Sequence, residues 1–315
     1  MIDAGKQASS LQQLSSTRTI EDAWPALPLE EWEDTYHTLH MWTQIVGKIR
    51  MGLTPLQNHW WNAALYVTTR GLTTSPISYH GQAFEIQFDF IDHRLEIRKS
   101  DGVSRVLALA PKSVAAFYRE LFSALREAGV VVQINAKPQE VPGAIPFDQD
   151  NTHASYSPEY ANRFWRILLS IDLALQEFRA RFIGKSSPVH FFWGSFDLSC
   201  TRFSGRAAAP RNGVITSEAY SHECSSIGWW QGGGNVKGPA FFAYTAPEPP
   251  NYSEQRARPD RAFYHGQLRE FVLMYDDVRR AKSPRDEILE FAQSTYEIGA
   301  NLAGWDRLSL ERRLA

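Results

Sequence analysis

Between Ala83 and Asp92 the chain reads AFEIQFDFID, with Phe84, Ile86, Phe88 and Phe90 alternating against Glu85, Gln87 and Asp89. A period of two places the four apolar side chains on one face of a strand and the polar ones on the other. That pattern belongs to a half-buried antiparallel strand, since strands of a parallel sheet are covered on both faces. The cover for the apolar face has to come from elsewhere in the chain.

Long amphipathic stretches supply it. Leu29, Trp32, Tyr36, Leu39, Trp42, Ile45, Val46 and Ile49 recur every three or four positions, which predicts a helix ending near Gly52. Glu30, Glu31, Glu33 and Asp34 lie in its first turns, where the helix dipole favours negative charge. The same spacing predicts helices over 158–183 and 111–127, the latter closed by Gly129, and a last helix from Ser283-Pro284 to about Ala303. Strand-forming runs occupy 65–69, 93–99, 103–109, 130–134, 219–227, 240–245 and 271–275. The expected fold class is α+β, a largely antiparallel sheet with long helices packed on one side.

The 315 residues divide into a polar, Ser- and Gln-rich tail over 1–22, expected to be flexible, and two α+β halves, 23–150 and 151–315, packed as one body. At an offset of 133, Pro55 falls on Pro188, Trp60 on Trp193, Leu65 on Leu198 and Thr68 on Thr201. A duplicated helix–sheet–helix unit is one source of that agreement, and chance matching of apolar residues is the other.

A net charge of -2 gives no general attraction to nucleic acid or to an anionic membrane surface. The first 20 residues lack the apolar run of a signal peptide, and no later run reaches the roughly 18 apolar residues of a membrane span. We therefore expect a cytoplasmic protein. Two cysteines, Cys200 and Cys224, exclude a disulfide framework and a cysteine-rich zinc site. Nothing in the sequence fixes an oligomeric state.

Chemistry-bearing residues concentrate in SPVHFFWGSFDLSCTRFSGR, from Ser187 to Arg206, and in EAYSHECSSIGWWQGGG further on. His190, Asp197, His222 and Glu223 are the acid–base candidates, and His190, His222 and Glu223 are also the set for a divalent metal. Arg202 and Arg206 have the planar fork that suits a carboxylate or phosphate. Arg70, His59, Trp60 and Trp193 are expected to join them around a small-molecule ligand. Strand alternation groups Arg202 with Cys200 and His190, and Asp197 with Ser199 and Thr201; one face would then gather His190, Arg202 and His222, the other Asp197 and Glu223. The bland alternative makes the histidines hydrogen-bonded core residues and the Asp–Arg pair a buried ion pair. The glycines 232–234 follow no phosphate-loop spacing and read as a loop or hairpin. The sequence thus points to a small-molecule enzyme with a His/carboxylate site, metal-dependent in one version, with a non-catalytic pocket for an acidic, partly apolar ligand as the alternative.

The runs GKIRMGLTPLQNHWW, LYVTTRGLTTSP, SPVHFFWGSFDLSCTRFSGR and EAYSHECSSIGWWQGG resemble the signature blocks of domain-of-unknown-function family 5996, found mainly in bacteria. The resemblance runs from about Trp24 onward and implies one continuous family unit over both halves. It implies no activity or cofactor. Asn62 stands where the family pattern leads one to expect a histidine after the twin tryptophans.

Overall fold

The structure, a computed structural model, describes residues 23–312, so the expected tail over 1–22 lies outside the described residues. The chain opens with α1 (Leu29–Leu53), passes through a short 3-10 turn (Asn58–Ala63) and enters β1 (Tyr66–Val67), β2 (Gly71–Thr73), β3 (Ile77–Tyr79), β4 (Gln82–Asp89), β5 (Arg94–Lys99) and β6 (Ser104–Ala108). These strands form one antiparallel sheet in the order β1-β2-β4-β5-β6, with β3 also on β4. The apolar face expected for Phe84, Ile86 and Phe88 is buried, and α2 (Val114–Glu127) packs with α1 against it, the rings of Trp42, Phe117 and Phe88 lying face to face. Ser113 caps α2 by accepting from Ala116 N, as a serine before a helix should.

The second half repeats the order of helix, antiparallel sheet and helix. After α3 (Pro158–Ala180) come β7 (His190–Phe192), β8 (Asp197–Ala207), the short helix α4 (Val214–Ala219), β9 (His222–Trp230), β10 (Ala240–Ala246), β11 (Phe263–His265) and β12 (Glu270–Met274). The sheet order is β11-β12-β10-β9-β8-β7. One turn of helix, α5 (Tyr275–Arg279), leads to α6 (Pro284–Leu302), and α7 (Arg307–Leu310) closes the described chain. Together with α3, α6 covers the face of this sheet that carries Leu198, Cys200, Ile227, Trp229, Phe241 and Phe271. One apolar cluster runs from Trp32 and Trp42 through Phe164 and Phe191 to Trp229 and Tyr296, and so includes residues of both halves. None of the described helices is long and apolar enough to cross a membrane.

Three local expectations need correction. Residues 130–134 form no strand: they enter no ladder, and the side chain of Tyr79 takes both the N–H and the carbonyl of Val131. The strand expected over 219–227 begins only at His222, because residues 214–219, preceded by Gly213 at φ 92, turn as a helix. The stretch 187–206 is a hairpin rather than one strand, reversing at Trp193–Phe196, where Phe196 adopts φ 58.

Candidate functional site

One face of the second sheet is covered by helices; the other floors a cavity of about 530 Å³. Its floor is Asp197, Ser199, Thr201 and Phe203 from β8, Cys224, Ser226 and Trp230 from β9, Phe242 and Tyr244 from β10, and Glu270 from β12. These residues share a face because antiparallel pairing sets Asp197 opposite Trp230, Thr201 opposite Ser226, and Phe203 opposite Cys224. Gly228 lies within this floor; a Cβ there would come within 2.6 Å of the Leu198 carbonyl and 2.4 Å of the Phe242 ring, so only glycine lets β10 lie this close.

Four segments wall the cavity: His59–Trp61 with Ala63, the pair Gln139 and Glu140, the turn Phe192–Ser195, and Ile215, Thr216, Ala219 and Tyr220 from α4 and its end. The first three are fixed from α1. His40 Nε2 lies 3.0 and 2.9 Å from the carbonyls of Trp193 and Gly194. Gln44 exchanges two hydrogen bonds with the backbone of Gln139. Lys48 donates to the carbonyls of Asn135 and Lys137. His40, Gln44 and Lys48 are four residues apart, a buried polar stripe beside the apolar one. Trp193 lies flat against α1 because position 47 is glycine, and its indole donates to Ala63 O at 2.6 Å.

The inner end of the cavity is acidic. Asp197 is 92% buried, flanked on its own face by Phe192 and Trp230, its cross-strand partners on β7 and β9. Its carboxylate accepts from the hydroxyls of Ser195 and Ser199. Burial, reinforced by Glu140, pushes it up to about 6. Glu270 has no ion-pair partner among the described residues, and burial, together with Asp197, pushes it up to about 7. Glu140 stands nearby at φ 59, close enough to Gly194 that a Cβ there would lie 3.3 Å from its carboxylate. No arginine or lysine among the described residues lines the cavity.

The residues singled out from the sequence are distributed unevenly around it. His59, Trp60, Trp193 and Asp197 line the cavity; the other candidates do not. His190 is buried behind Trp61, with Nε2 3.4 Å from Tyr66 Oη; burial, then Arg50 and Arg179, hold it down to about 3, so it stays neutral. His222 lies against His59, its Nδ1 3.1 Å from Ser221 Oγ, and Glu223 accepts from Ser204 and Arg206. The ring contacts of His190 are to Trp61, Tyr66 and Phe192, whereas His222 contacts His59, so the two histidines are not in ring contact. Among the described residues no three His, Cys, Asp or Glu side chains stand together to hold a metal ion, so His190, His222 and Glu223 form no such site.

The arginines are also placed elsewhere. Arg202 is fully buried on the helix-covered face, its guanidinium 3.5 Å from the Phe178 ring centroid and 4.4 Å from that of Tyr296, donating to Phe178 O. Arg206 pairs with Glu223 at 2.7 Å and donates to the carbonyls of Ala303 and Gly304 at the end of α6. Arg70 is paired with Asp89 and Asp92 on the first sheet. The expected face grouping fails for a simple reason. The hairpin sets His190 opposite Ser199, and β9 sets Arg202 opposite Ser225, so the grouping by residue parity is reversed across each turn. Asn62 is buried within its own turn, accepting from Gln57 N.

The cavity residues missed from the sequence, Glu140, Tyr244 and Glu270, are isolated in the chain and carry no motif; the polar stripe on α1 was the one available signal. No curated protein and no solved structure is significantly similar to the chain. The family model described as a family of unknown function, DUF5996, matches residues 24–312, and the chain belongs to that family.

Proposed function

We propose that the protein binds a small organic cation, an amine carried on an apolar body, in the cavity of the second sheet. The observation that carries this reading is Asp197, a carboxylate 92% buried between Phe192 and Trp230 with no arginine or lysine in the cavity lining. A buried anion without a counter-ion is costly, and an ammonium group would supply one. Aromatic faces add attraction for a cation at close range, and the remaining Trp, Phe and Tyr surface suits an apolar body. An acidic ligand would meet Asp197, Glu140 and Glu270 instead of Arg202 or Arg206, and is disfavoured on charge.

A second reading is favoured by one observation. Asp197 and Glu270 are raised to about 6 and about 7, into the range where a carboxyl exchanges a proton near neutral pH, as general acid–base work on a bound molecule requires. The protein would then be an enzyme that moves a proton on its ligand.

Calorimetry with 2-phenylethylamine, 2-phenylethanol and 3-phenylpropionate as probes of one shape and three charges tests the binding reading. The amine is expected to bind and the acid to fail, with the amine lost in Asp197→Asn. Equal binding of all three, or preference for the acid, sinks the cation reading. Conversion of a bound amine by the wild type but not by Glu270→Gln would establish the enzyme.

A further inference from the structure

The wall formed by α4 is built differently from the rest. None of its six residues is buried, Val214 is 80% exposed, and it begins at Gly213 with no side-chain cap. Gly205 at φ 88 and Gly213 at φ 92 bracket the exposed segment that leads into it. Such a segment has little apolar contact to resist local opening. Yet Ile215, Thr216, Ala219 and Tyr220 close one side of the cavity.

Two points hold α4 down: Tyr220 at its end, whose hydroxyl lies 3.1 Å from Tyr244 Oη, and His59. The ring Nδ1 lies 3.0 Å from Ala219 O, in the last turn of α4, and His59 N donates to Glu218 Oε1 at 3.2 Å. On the other side, Lys185 Nζ lies 2.6 Å from His59 Nε2 and above the rings of Trp61 and Phe203. A carbonyl accepts only and an ammonium donates only, so this pair of neighbours fixes a neutral imidazole with its proton on Nδ1. A second proton would go on Nε2 and point at the Lys185 ammonium.

We propose that α4 is a lid over the cavity and that neutral His59 is its latch, released when the ring takes up a second proton and repulsion from the Lys185 ammonium turns it away from Ala219. The importance of the lid rests on the cavity holding a ligand; its mechanism does not. The groups facing His59 are Lys185 from the segment before β7, His222 from β9 and Glu218 from α4, with Trp61 and Phe203 as neutral walls. Burial, then Lys185, lowers the value of His59 from its ordinary 6.5, against the opposing hydrogen bond to Ala219 O, with His222 adding to the lowering and Glu218 opposing it. The sign follows: closure is favoured above the ordinary value and is lost as pH falls through the lowered one.

Hydrogen exchange of the full chain at about pH 7.5 and about pH 5, normalised for the intrinsic chemistry of exchange, tests this without any ligand. Peptides covering 212–221 are expected to lose protection about tenfold on acidification while β8 and α3 keep theirs. His59→Asn tolerates the left-handed backbone at φ 57, keeps a donor towards Ala219 and cannot take the proton, so its response should be flat. Lys185→Met keeps the stem and removes the charge that the second proton would meet, so its response should be lost. A wild type protected equally at both values, or a His59→Asn or Lys185→Met variant that retains the response, overturns the latch. If His59→Asn does not fold, Lys185→Met decides alone. Failure here leaves the cation reading standing, because that is measured by calorimetry at constant pH.

Discussion

Leu65 and Phe191 exchange two backbone hydrogen bonds of 2.9 Å each, and through this single pair the edge of the first sheet meets the edge of the second. Both side chains are fully buried, and Phe191 packs on Phe164 and Phe196. The pair also fixes how the halves face each other, with position 65 opposite position 191. Phe191→Ala opens a cavity where both sheets share a core. It is expected to cost about 3–5 kcal/mol in urea denaturation. Far-UV and tryptophan signals should still be lost together; two separated transitions would show that the halves unfold independently.

Arg202 makes a sharper case for separating packing from binding. Its guanidinium is enclosed by Phe178, Phe182 and Tyr296, and burial lowers it to about 10. Arg202→Ala removes that packing and leaves the Phe178 carbonyl short of a donor, with an expected cost of about 3 kcal/mol. Arg202→Met keeps volume without a buried charge, and should cost much less. Because Arg202 lies on the face of β8 away from the cavity, amine affinity in Arg202→Met should stay within about twofold of wild type, by the additivity of distant sites. A large loss would return Arg202 to the ligand.

The elements that were legible in the sequence are those whose pattern is long. The period of two in β4 and the stripes of α1, α3 and α6 repeat often enough to override local exceptions. Val130–Ile134 has the composition of a strand but enters no ladder, since the Tyr79 hydroxyl takes the N–H and carbonyl of Val131 instead. The cavity was legible only in fragments. His59, Trp60, Trp193 and Asp197 stood out as aromatic or charged groups in dense motifs, whereas Glu140 and Glu270 are single carboxylates whose meaning comes from what the sheet sets beside them. Arg202 and His190 misled for the same reason in reverse: conspicuous chemistry in sequence, and a hairpin that turns one behind the cavity wall and the other onto the opposite face.

Both thiols should be silent in the folded protein. Burial pushes Cys200 up to about 11 and Cys224 up to about 12, so little thiolate exists near neutrality. Iodoacetamide at about pH 8 is expected to leave the native chain unmodified and to label both cysteines in urea. Cys224 lines the cavity, so labelling of Cys224 alone in the native state would show that the wall opens and that the thiol is activated there.

The pH dependence of stability carries the signature of an anion buried without its partner. Asp197 has an ordinary value of 3.8 and a folded value of about 6, so the folded protein holds that proton more tightly than the unfolded chain. Its contribution is therefore fully present below about pH 3.8 and is lost as pH rises through about 6; Glu270, raised from 4.5 to about 7, acts in the same direction. Asp89, held low by Arg70 and by backbone donors, works oppositely at the acid end and is common to both proteins compared. The difference between Asp197→Asn and wild type reports Asp197 together with the part of the Glu270 shift that Asp197 causes. It should grow between about pH 4 and about pH 7 in favour of the variant, on the order of 3 kcal/mol at most. Saturating 2-phenylethylamine should stabilise the wild type at about pH 7.5 and leave Asp197→Asn nearly unchanged. Thermal melts across that range decide the point, since a difference that stays flat with pH would mean that Asp197 is already neutralised, and that the cavity has no charge to offer a cation.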